Sequence, residues 1–348
     1  MSRNVKKGLA LFWILVSLLL LAFPLEVSAE KAKITVRYKS GADDSDLTAS
    51  CLYQDSWFLE TASWKYSKMI ARVLAVGAAS TYGEAGASKR FLKDAGYGSL
   101  ESRYTGMSSE GTEEDNDNAS YTFGVKTVRH RLGRADIIGV LISGYSSSGY
   151  EWKSNFNLGL TRTHRGFSLA EKKVFKELTA YIEANRKKGR TFRIWISGHS
   201  RGGAVANLLA RDLNLVYGAS KVFCYTFAPP AVKRMSSLQA KSVRNIFNLI
   251  NRCDLVPYVP TRSMGYRRYG VTVPFIKSTY RSGKRGELQA LQVSERKTFM
   301  TLLESMLGKT TLSEGISDSV YQMVAGVIGD SRVRNAHTME AYLSFVMD

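Results

Sequence analysis

The sequence is poor in the residues that build metal sites, disulfides and flexible linkers. It contains three cysteines, four histidines and six prolines in 348 residues, and no two cysteines have the CxxC spacing of metal or redox sites. The odd number of cysteines leaves at least one thiol outside any intrachain disulfide. No internal repeat, low-complexity block or proline-rich linker divides the chain. We therefore predict a single domain over residues 30–348, with no metal and no other cofactor.

An apolar run lies at the N-terminus and stops short of the length of a membrane span. Residues 8–23 are almost wholly apolar, three basic residues precede them, and small residues at 27–29 follow. This order is typical of a secretory signal peptide, and a transmembrane helix needs about 20 apolar residues. We predict that residues 1–29 are removed on export and that the mature chain is secreted. An uncleaved N-terminal membrane anchor is the alternative.

Acidic residues are few compared with basic ones. The chain has 49 lysines and arginines against 30 acidic residues, which gives a formal net charge of +19. Such a charge favours anionic surfaces and polymers. The basic residues are scattered and no nucleic-acid-binding motif accompanies them. We therefore expect no nucleic-acid partner, and we consider lipid surfaces, including anionic ones, as candidate partners.

Strand and helix patterns alternate along most of the chain. Ser168 and Glu171 have the spacing of a capping box, which predicts a helix from Ser168 to about Lys187. The alternation predicts a parallel sheet covered by helices. Strands are predicted at 33–38, 135–143, 192–197, 221–227, 243–250 and 267–275, and further helices at 56–82, 87–95, from Arg201 onward, and within 286–328.

The pentapeptide GHSRG, residues 198–202, lies where a predicted strand turns into a predicted helix. The G-x-S-x-G pattern in this context is typical of a nucleophile elbow. Side chains at Gly198 and Gly202 would collide with the neighbouring backbone, and the strained turn would push the Ser200 hydroxyl into the open. The positive end of the new helix would stabilise an oxyanion. We predict that Ser200 is a nucleophile.

A serine nucleophile needs a base, and the base needs an acid that orients it. Two of the four histidines precede the elbow, His199 adjoins Ser200 in the chain, and only His337 follows it. The α/β-hydrolase order is serine, acid, histidine. Asp254 comes just after a predicted strand in this interval. We predict His337 as the general base and Asp254 as the acid that fixes its tautomer; a simple turn carboxylate is the alternative for Asp254.

Four blocks of the sequence resemble the class 3 lipases, the fungal-type triacylglycerol lipases and their bacterial relatives. The blocks are ISGHSRGGAVANLLA, YTFAPPAV, NRCDLVPYVP and NAHTMEAY, and THRGF resembles the H-x-G-F block of that family. The resemblance implies an α/β-hydrolase fold, with a mostly parallel sheet flanked by helices and, in this chain, a helical insertion between Asp254 and His337. It also implies ester hydrolysis, and the family triad falls on the same three residues.

The oxyanion donors are predicted from the backbone. The elbow geometry assigns one donor to the N–H of Arg201. The family usually has an F-R-G-T-like strand end that supplies the second donor, but here the segment reads ISGY at 142–145. The arginine is absent here, and this segment can be aligned with the family strand end in two ways. The second donor is accordingly the N–H of Tyr145 or of Ser146. Backbone donors require no particular side chain.

A lid is predicted after this strand, because the family carries one there. Trp152 and Phe156 lie four residues apart, so one helical face would be aromatic and suited to lipid; packing of Trp152 into the domain is the alternative. We predict an exported serine hydrolase that cleaves carboxylic esters of lipids through an acyl-enzyme on Ser200. A phospholipase A1 or an acyltransferase with the same triad, or a catalytically dead surface-binding protein, remains the alternative.

Overall fold

The computed structural model describes residues 31–103, 118–130, 133–144, 161–282, 286–307 and 330–348. Three predictions fall outside these ranges: the signal peptide, the second oxyanion donor at Tyr145 or Ser146, and the lid residues Trp152 and Phe156. Within the described ranges, no helix combines the length and the hydropathy that a membrane span requires.

The described segments contain strands and helices that alternate through most of the chain. The strands are β1 (Lys31–Lys39), β2 (Asp46–Gln54), β3 (Gly98–Arg103), β4 (Tyr121–His130), β5 (Gly133–Ile142), β6 (Thr191–His199), β7 (Val222–Phe227), β8 (Lys233–Arg234), β9 (Ile246–Asn251), β10 (Tyr266–Arg267), β11 (Val271–Phe275), β12 (Thr279–Ser282) and β13 (Gly286–Gln289). The helices are α1 (Ser56–Glu60), α2 (Lys68–Ser80), α3 (Ala87–Asp94), α4 (Arg165–Asn185), α5 (Ser200–Tyr217), α6 (Ser237–Ser242), α7 (Val293–Leu307), α8 (Ser331–His337) and α9 (Met339–Met347).

A central sheet organises the protein. In the part of the chain that the structure describes, its strand order is β11-β9-β7-β6-β5-β4-β3. The strands β5, β6, β7, β9 and β11 pair in parallel, whereas β4 and β3 pair antiparallel at one edge. The sheet is therefore mostly parallel and flanked by helices, which confirms the predicted α/β-hydrolase fold.

Both faces of the sheet are covered, so its central strands are buried on both sides. Side chains alternate along β6: Trp195 packs into one core cluster, and Ile194 and Ile196 pack into the other. The first cluster also contains residues of the β1–β2 hairpin, α2, α3 and α9, and the second contains residues of α4 and α5. This layering leaves the C-terminal ends of the parallel strands as the edge where functional groups can collect.

The segment 56–82, predicted as one helix, forms two. Between α1 and α2 the chain turns, and α2 begins after Ser67, whose hydroxyl accepts a hydrogen bond from the N–H of Ile70. Ser67 thus acts as the N-cap of a new helix, and a cap at this position means that the segment is not one continuous helix. Phe58 of α1 and Leu74 of α2 are fully buried in the same core cluster. The helical periodicity of the apolar residues is therefore predicted correctly, but it comes from two helices that pack into one core.

The capping box predicted at Ser168 and Glu171 is wrong. The helix α4 begins three residues earlier, at Arg165, and the N–H of Ser168 donates to the His164 carbonyl at 2.9 Å. Phe167 accounts for the early start, because its fully buried ring stacks on the His164 ring with centroids 3.8 Å apart. The first turn of the helix is therefore stabilised by packing rather than by a side-chain cap.

Glu171 is consequently buried in the second turn of α4. Only 3% of the residue is exposed. Burial raises the pKa of Glu171, and the neighbouring carboxylate of Asp212 on α5 adds to the shift by repulsion and by accepting a hydrogen bond, so that the pKa reaches about 8. At neutral pH the Glu171 carboxyl therefore holds a proton between the two helices.

The insertion between Asp254 and His337 is only partly helical in the described residues. Residues 286–289, predicted as the start of a helical region, form β13 and pair with β12 in a hairpin. The helix α7 follows, and the remainder of the predicted helical region, from residue 308, lies outside the described residues.

We predict that Glu171→Gln flattens the pH dependence of folding stability. In the unfolded chain this carboxyl ionises near 4.5, whereas in the folded chain it ionises near 8. Between these values the unfolded state has lost a proton that the folded state keeps. Raising the pH through this window therefore lowers the free energy of unfolding, by about 1 kcal/mol per pH unit. The glutamine variant should lack this slope in urea unfolding curves.

The matched control is Glu183→Gln on the same helix, because the Glu183 side chain is 52% exposed. This variant should keep the slope of the parent protein. Equal slopes in the parent protein and in Glu171→Gln would contradict the assignment of a buried, protonated Glu171.

Candidate active site

Ser200 lies at the junction of β6 and α5. His199 ends the strand in an extended conformation, and α5 begins at Ser200 itself. Ser200 has φ +54, a left-handed conformation that costs a residue other than glycine on the order of 1 kcal/mol. The strained turn places the partly exposed serine at the C-terminal edge of the sheet.

Gly198 and Gly202 leave no room for side chains. A β-carbon on Gly198 would lie 2.4 Å from the Gly202 carbonyl oxygen, and one on Gly202 would lie 2.4 Å from the Ile142 carbonyl oxygen. Gly144 is a third such position, because a β-carbon there would lie 2.3 Å from the His199 carbonyl oxygen. The elbow and the end of β5 are therefore in direct backbone contact.

Ser200, His337 and Asp254 form a continuous hydrogen-bonded chain. Nε2 of His337 lies 2.8 Å from the Ser200 hydroxyl oxygen, and Nδ1 lies 2.8 Å from Oδ2 of Asp254. An ionised carboxylate only accepts hydrogen bonds, so Nδ1 carries the proton and Nε2 is left to accept from the serine. The structure thus brings together the three residues selected from the sequence, from three distant segments.

Asp254 has two further hydrogen-bond donors. The Tyr342 hydroxyl donates to Oδ2 at 2.7 Å, and the N–H of Val256 donates to Oδ1 at 2.9 Å. Asp254 is fully buried, and a buried carboxylate is costly unless its oxygens are paired. Burial and the negative charge of Asp254 raise the pKa of Tyr342 well above 10, so the phenol remains a donor.

Asn251, the last residue of β9, ties the loop that follows β9 to α8. Its amide nitrogen donates to the carbonyls of Lys277 at 3.0 Å and of Ala336 at 3.4 Å. Its amide oxygen accepts from the N–H groups of Cys253 at 3.2 Å and of Lys277 at 3.0 Å. Cys253 and Ala336 each immediately precede a member of the Ser–His–Asp chain. One buried amide therefore sets the spacing between the aspartate loop and the histidine.

The insertion and the partly buried Arg268 also hold the aspartate loop. On α7, Nε of Arg296 donates to the Arg252 carbonyl at 3.0 Å, and its guanidinium lies 3.9 Å from the Tyr258 ring centroid. Arg268 donates to the Pro257 carbonyl. Burial lowers the pKa of Arg268 to about 10, which still leaves it positively charged at neutral pH. Residues far apart in the sequence thus fix this loop.

Arg201 presents its backbone at the predicted oxyanion position. Its N–H lies in the first turn of α5, where no intrahelical acceptor is available and where the helix dipole is positive. The side chain is buried, with the guanidinium 5.7 Å from the Phe167 ring centroid and a hydrogen bond to the Asn118 carbonyl at 3.4 Å.

Tyr342 and Asn251 are the site residues that sequence reasoning misses. Tyr342 lies on α9, where an apolar pattern indicates only core packing, and nothing in the sequence links it to Asp254. Within the described residues, no cluster of three histidine, cysteine or acidic side chains is suited to hold a metal ion. The three cysteines are buried and not disulfide-bonded.

Comparisons with known proteins find similarity to one family. The model of class 3 lipases matches residues 140–264, which include Ser200 and Asp254 but not His337. The chain is 29% identical over 115 residues to a lipase of Rhizomucor miehei, which covers 32% of each protein. It is 27% identical over 110 residues to a secreted mono- and diacylglycerol lipase of Malassezia globosa, covering 31% of this chain and 36% of that protein. The matched stretch thus spans about a third of these relatives.

Similar solved structures are also lipases. The native propeptide complex of Rhizomucor miehei lipase has 20% identity and a TM-score of 0.42, and the alignment covers 65% of this chain and 72% of that one. The lipase of Rhizopus microsporus var. chinensis has 14% identity and a TM-score of 0.41, with 78% of this chain and 89% of that one covered.

We predict that Gly202→Ala destabilises the protein because the new methyl group meets the backbone of β5. Overpacking of a close contact costs about 1–3 kcal/mol, and neither Gly202 nor Ile142 can move without opening the elbow. Urea unfolding measures the loss. Gly98→Ala is the matched control, because its β-carbon would have its nearest neighbour at 4.0 Å. Equal stability of the two variants would show that the elbow is looser than the structure indicates.

Proposed function

We propose that this chain, of which residues 140–264 match the model of class 3 lipases, is an exported serine hydrolase that cleaves carboxylic esters of lipids. The observation that carries the proposal is the hydrogen-bonded chain from the strained Ser200, through His337, to the buried Asp254. The relatives named as lipases support a lipid ester as the substrate. The predicted signal peptide supports export.

In the first half-reaction the ester transfers its acyl group to the serine. The Ser200 oxygen attacks the ester carbonyl while Nε2 of His337 takes the hydroxyl proton. The resulting imidazolium is stabilised by the Asp254 carboxylate, which already accepts a hydrogen bond from the Nδ1–H group. The tetrahedral intermediate then collapses, the ester C–O bond breaks, and His337 returns its proton to the leaving alcohol.

The oxyanion of that intermediate needs donors that are in place beforehand. The Arg201 N–H and the positive end of α5 supply one side of the hole. We propose that the second donor is the N–H of Tyr145 or Ser146, which follow directly after the Gly144 that contacts the elbow. These are backbone groups, so the arginine found in other family members at the strand end is not required.

In the second half-reaction water takes the place of the alcohol. His337 removes a proton from the water, the hydroxide adds to the acyl carbonyl, and the carboxylic acid leaves as Ser200 regains its proton. This cycle uses the chain's own side chains and water throughout, and it requires no cofactor.

We predict that Ser200→Ala lowers kcat for p-nitrophenyl esters by several orders of magnitude, since members of such a triad act as a unit. A fluorophosphonate probe should label the parent protein at Ser200 and fail to label the variant. Ser242→Ala, an exposed serine on α6, is the control and should keep full activity. Labelling at another serine, or activity in Ser200→Ala, would refute the assignment.

We further predict that the positive charge brings the enzyme to anionic lipid. Each well-placed lysine or arginine contributes about 1 kcal/mol of attraction, which salt screens over about 10 Å at 0.1 M. Vesicle binding by the Ser200→Ala variant, which does not consume the lipid, should rise with anionic lipid content and fall with salt. Hydrolysis of a soluble short-chain ester by the parent protein should be much less sensitive to salt.

Sedimentation with neutral and anionic vesicles at several salt concentrations separates these two steps. Equal binding to both kinds of vesicle at low salt would show that the excess of basic residues plays no part in substrate access. A hydrolase of small soluble esters would then be the better description.

A further inference from the structure

A second imidazole lies against the ring of His337. His199, the last residue of β6, has its ring centroid 4.9 Å from that of His337, with 36° between the planes. It is only 3% exposed, although it directly precedes the partly exposed Ser200. The elbow therefore turns Ser200 toward solvent and leaves His199 in the interior, beside the proposed general base.

Tyr82, which follows the end of α2, holds the far side of His199. Its hydroxyl lies 2.6 Å from Nδ1 of His199, and the two rings pack edge to face at 5.5 Å. The Tyr342 ring packs edge to face on His199 at 5.7 Å. Tyr82, Tyr342 and His337 thus enclose the imidazole from three separate elements.

The enclosed imidazole is neutral. Burial lowers the pKa of His199 well below 6.5, and the charge of His337 lowers it further. A neutral ring carries one proton. Nε2 of His199 has no hydrogen-bond partner among the described residues. The hydrogen bond that fixes the ring is therefore the one between Nδ1 and the Tyr82 hydroxyl.

We propose that His199 is a positioning residue for His337, and that Tyr82 acts through it. This inference rests on the proposed function, because it assigns His337 as the general base. When His337 takes the serine proton it becomes a cation, and its neighbour must then be uncharged and immobile. A neutral ring fixed by Tyr82 keeps water from one face of His337 and holds Nε2 in line with Ser200, without adding a second positive charge.

A double-mutant cycle tests whether the Tyr82 hydroxyl acts through His199. Tyr82→Phe removes the hydroxyl, and His199→Phe keeps an aromatic ring that cannot accept a hydrogen bond. Tyr82→Phe should lower kcat for a soluble p-nitrophenyl ester about tenfold with little change in KM, a coupling in the range of residues in contact. In the His199→Phe background the same change should cost less than about twofold.

Two readouts keep this proposal separate from the proposed function. The rate at which a fluorophosphonate labels Ser200 reports its activation independently of the ester chosen, and it should show the same coupling. If Ser200 is labelled but no lipid ester is cleaved, the substrate proposal fails while the labelling cycle still decides the role of His199. Urea unfolding of each variant separates loss of alignment from loss of folding.

Tyr181→Phe is the matched control. Tyr181 lies on α4, outside the candidate site, and its hydroxyl donates to the Ser99 carbonyl at 2.7 Å. It should leave kcat and the labelling rate unchanged. Additive losses from Tyr82→Phe and His199→Phe would overturn the proposal, because the hydroxyl would then act by another route. A rise in KM at constant kcat would overturn it as well, since alignment of His337 affects the chemical step.

Discussion

A fully buried carboxylate requires hydrogen-bond donors, and Asp254 imposes this requirement on the C-terminal edge of the sheet. Its donors come from His337 on α8, Tyr342 on α9 and its own loop at Val256. The last two helices must therefore dock on the end of β9 before the charge can be buried. The same docking brings His337 within hydrogen-bond distance of Ser200, so the cost of burying one charge organises the whole site.

Docking of α9 in turn depends on the N-terminal hairpin. The Glu340 carboxylate accepts hydrogen bonds from the Ser40 hydroxyl at 2.7 Å and from the Gly41 N–H at 3.2 Å, at the end of β1. The hairpin, α2 and α9 also share one core cluster. The two ends of the described chain therefore stabilise each other, and β1 supports the candidate site although it contributes no residue to it.

The sequence predicts the parts of the fold whose signal is local. The strands β6, β7 and β9 are rich in apolar and β-branched residues, and the elbow has glycines that the tight turn demands. The strand β2 is missed because DLTASCLYQ is a weak pattern whose pairing with β1 only the tertiary structure shows. The capping box at Ser168 fails for a related reason, since stacking of Phe167 on His164 overrides a favourable local motif. Chain order selects Ser200, Asp254 and His337, but the contacts of Tyr342 and His199 have no local signature.

The arrangement of charge follows from the chemistry that such a site has to perform. An imidazolium that forms during each half-reaction is stabilised by a nearby negative charge and destabilised by a positive one. The groups in contact with the Ser–His–Asp chain fit this requirement, because Asp254 is anionic while Tyr342 and His199 are held neutral by burial. Arg268, whose pKa burial lowers, directs its guanidinium to the Pro257 carbonyl and so holds the aspartate loop. The positive charge of the exposed basic side chains is compatible with this arrangement, because salt and solvent screen it.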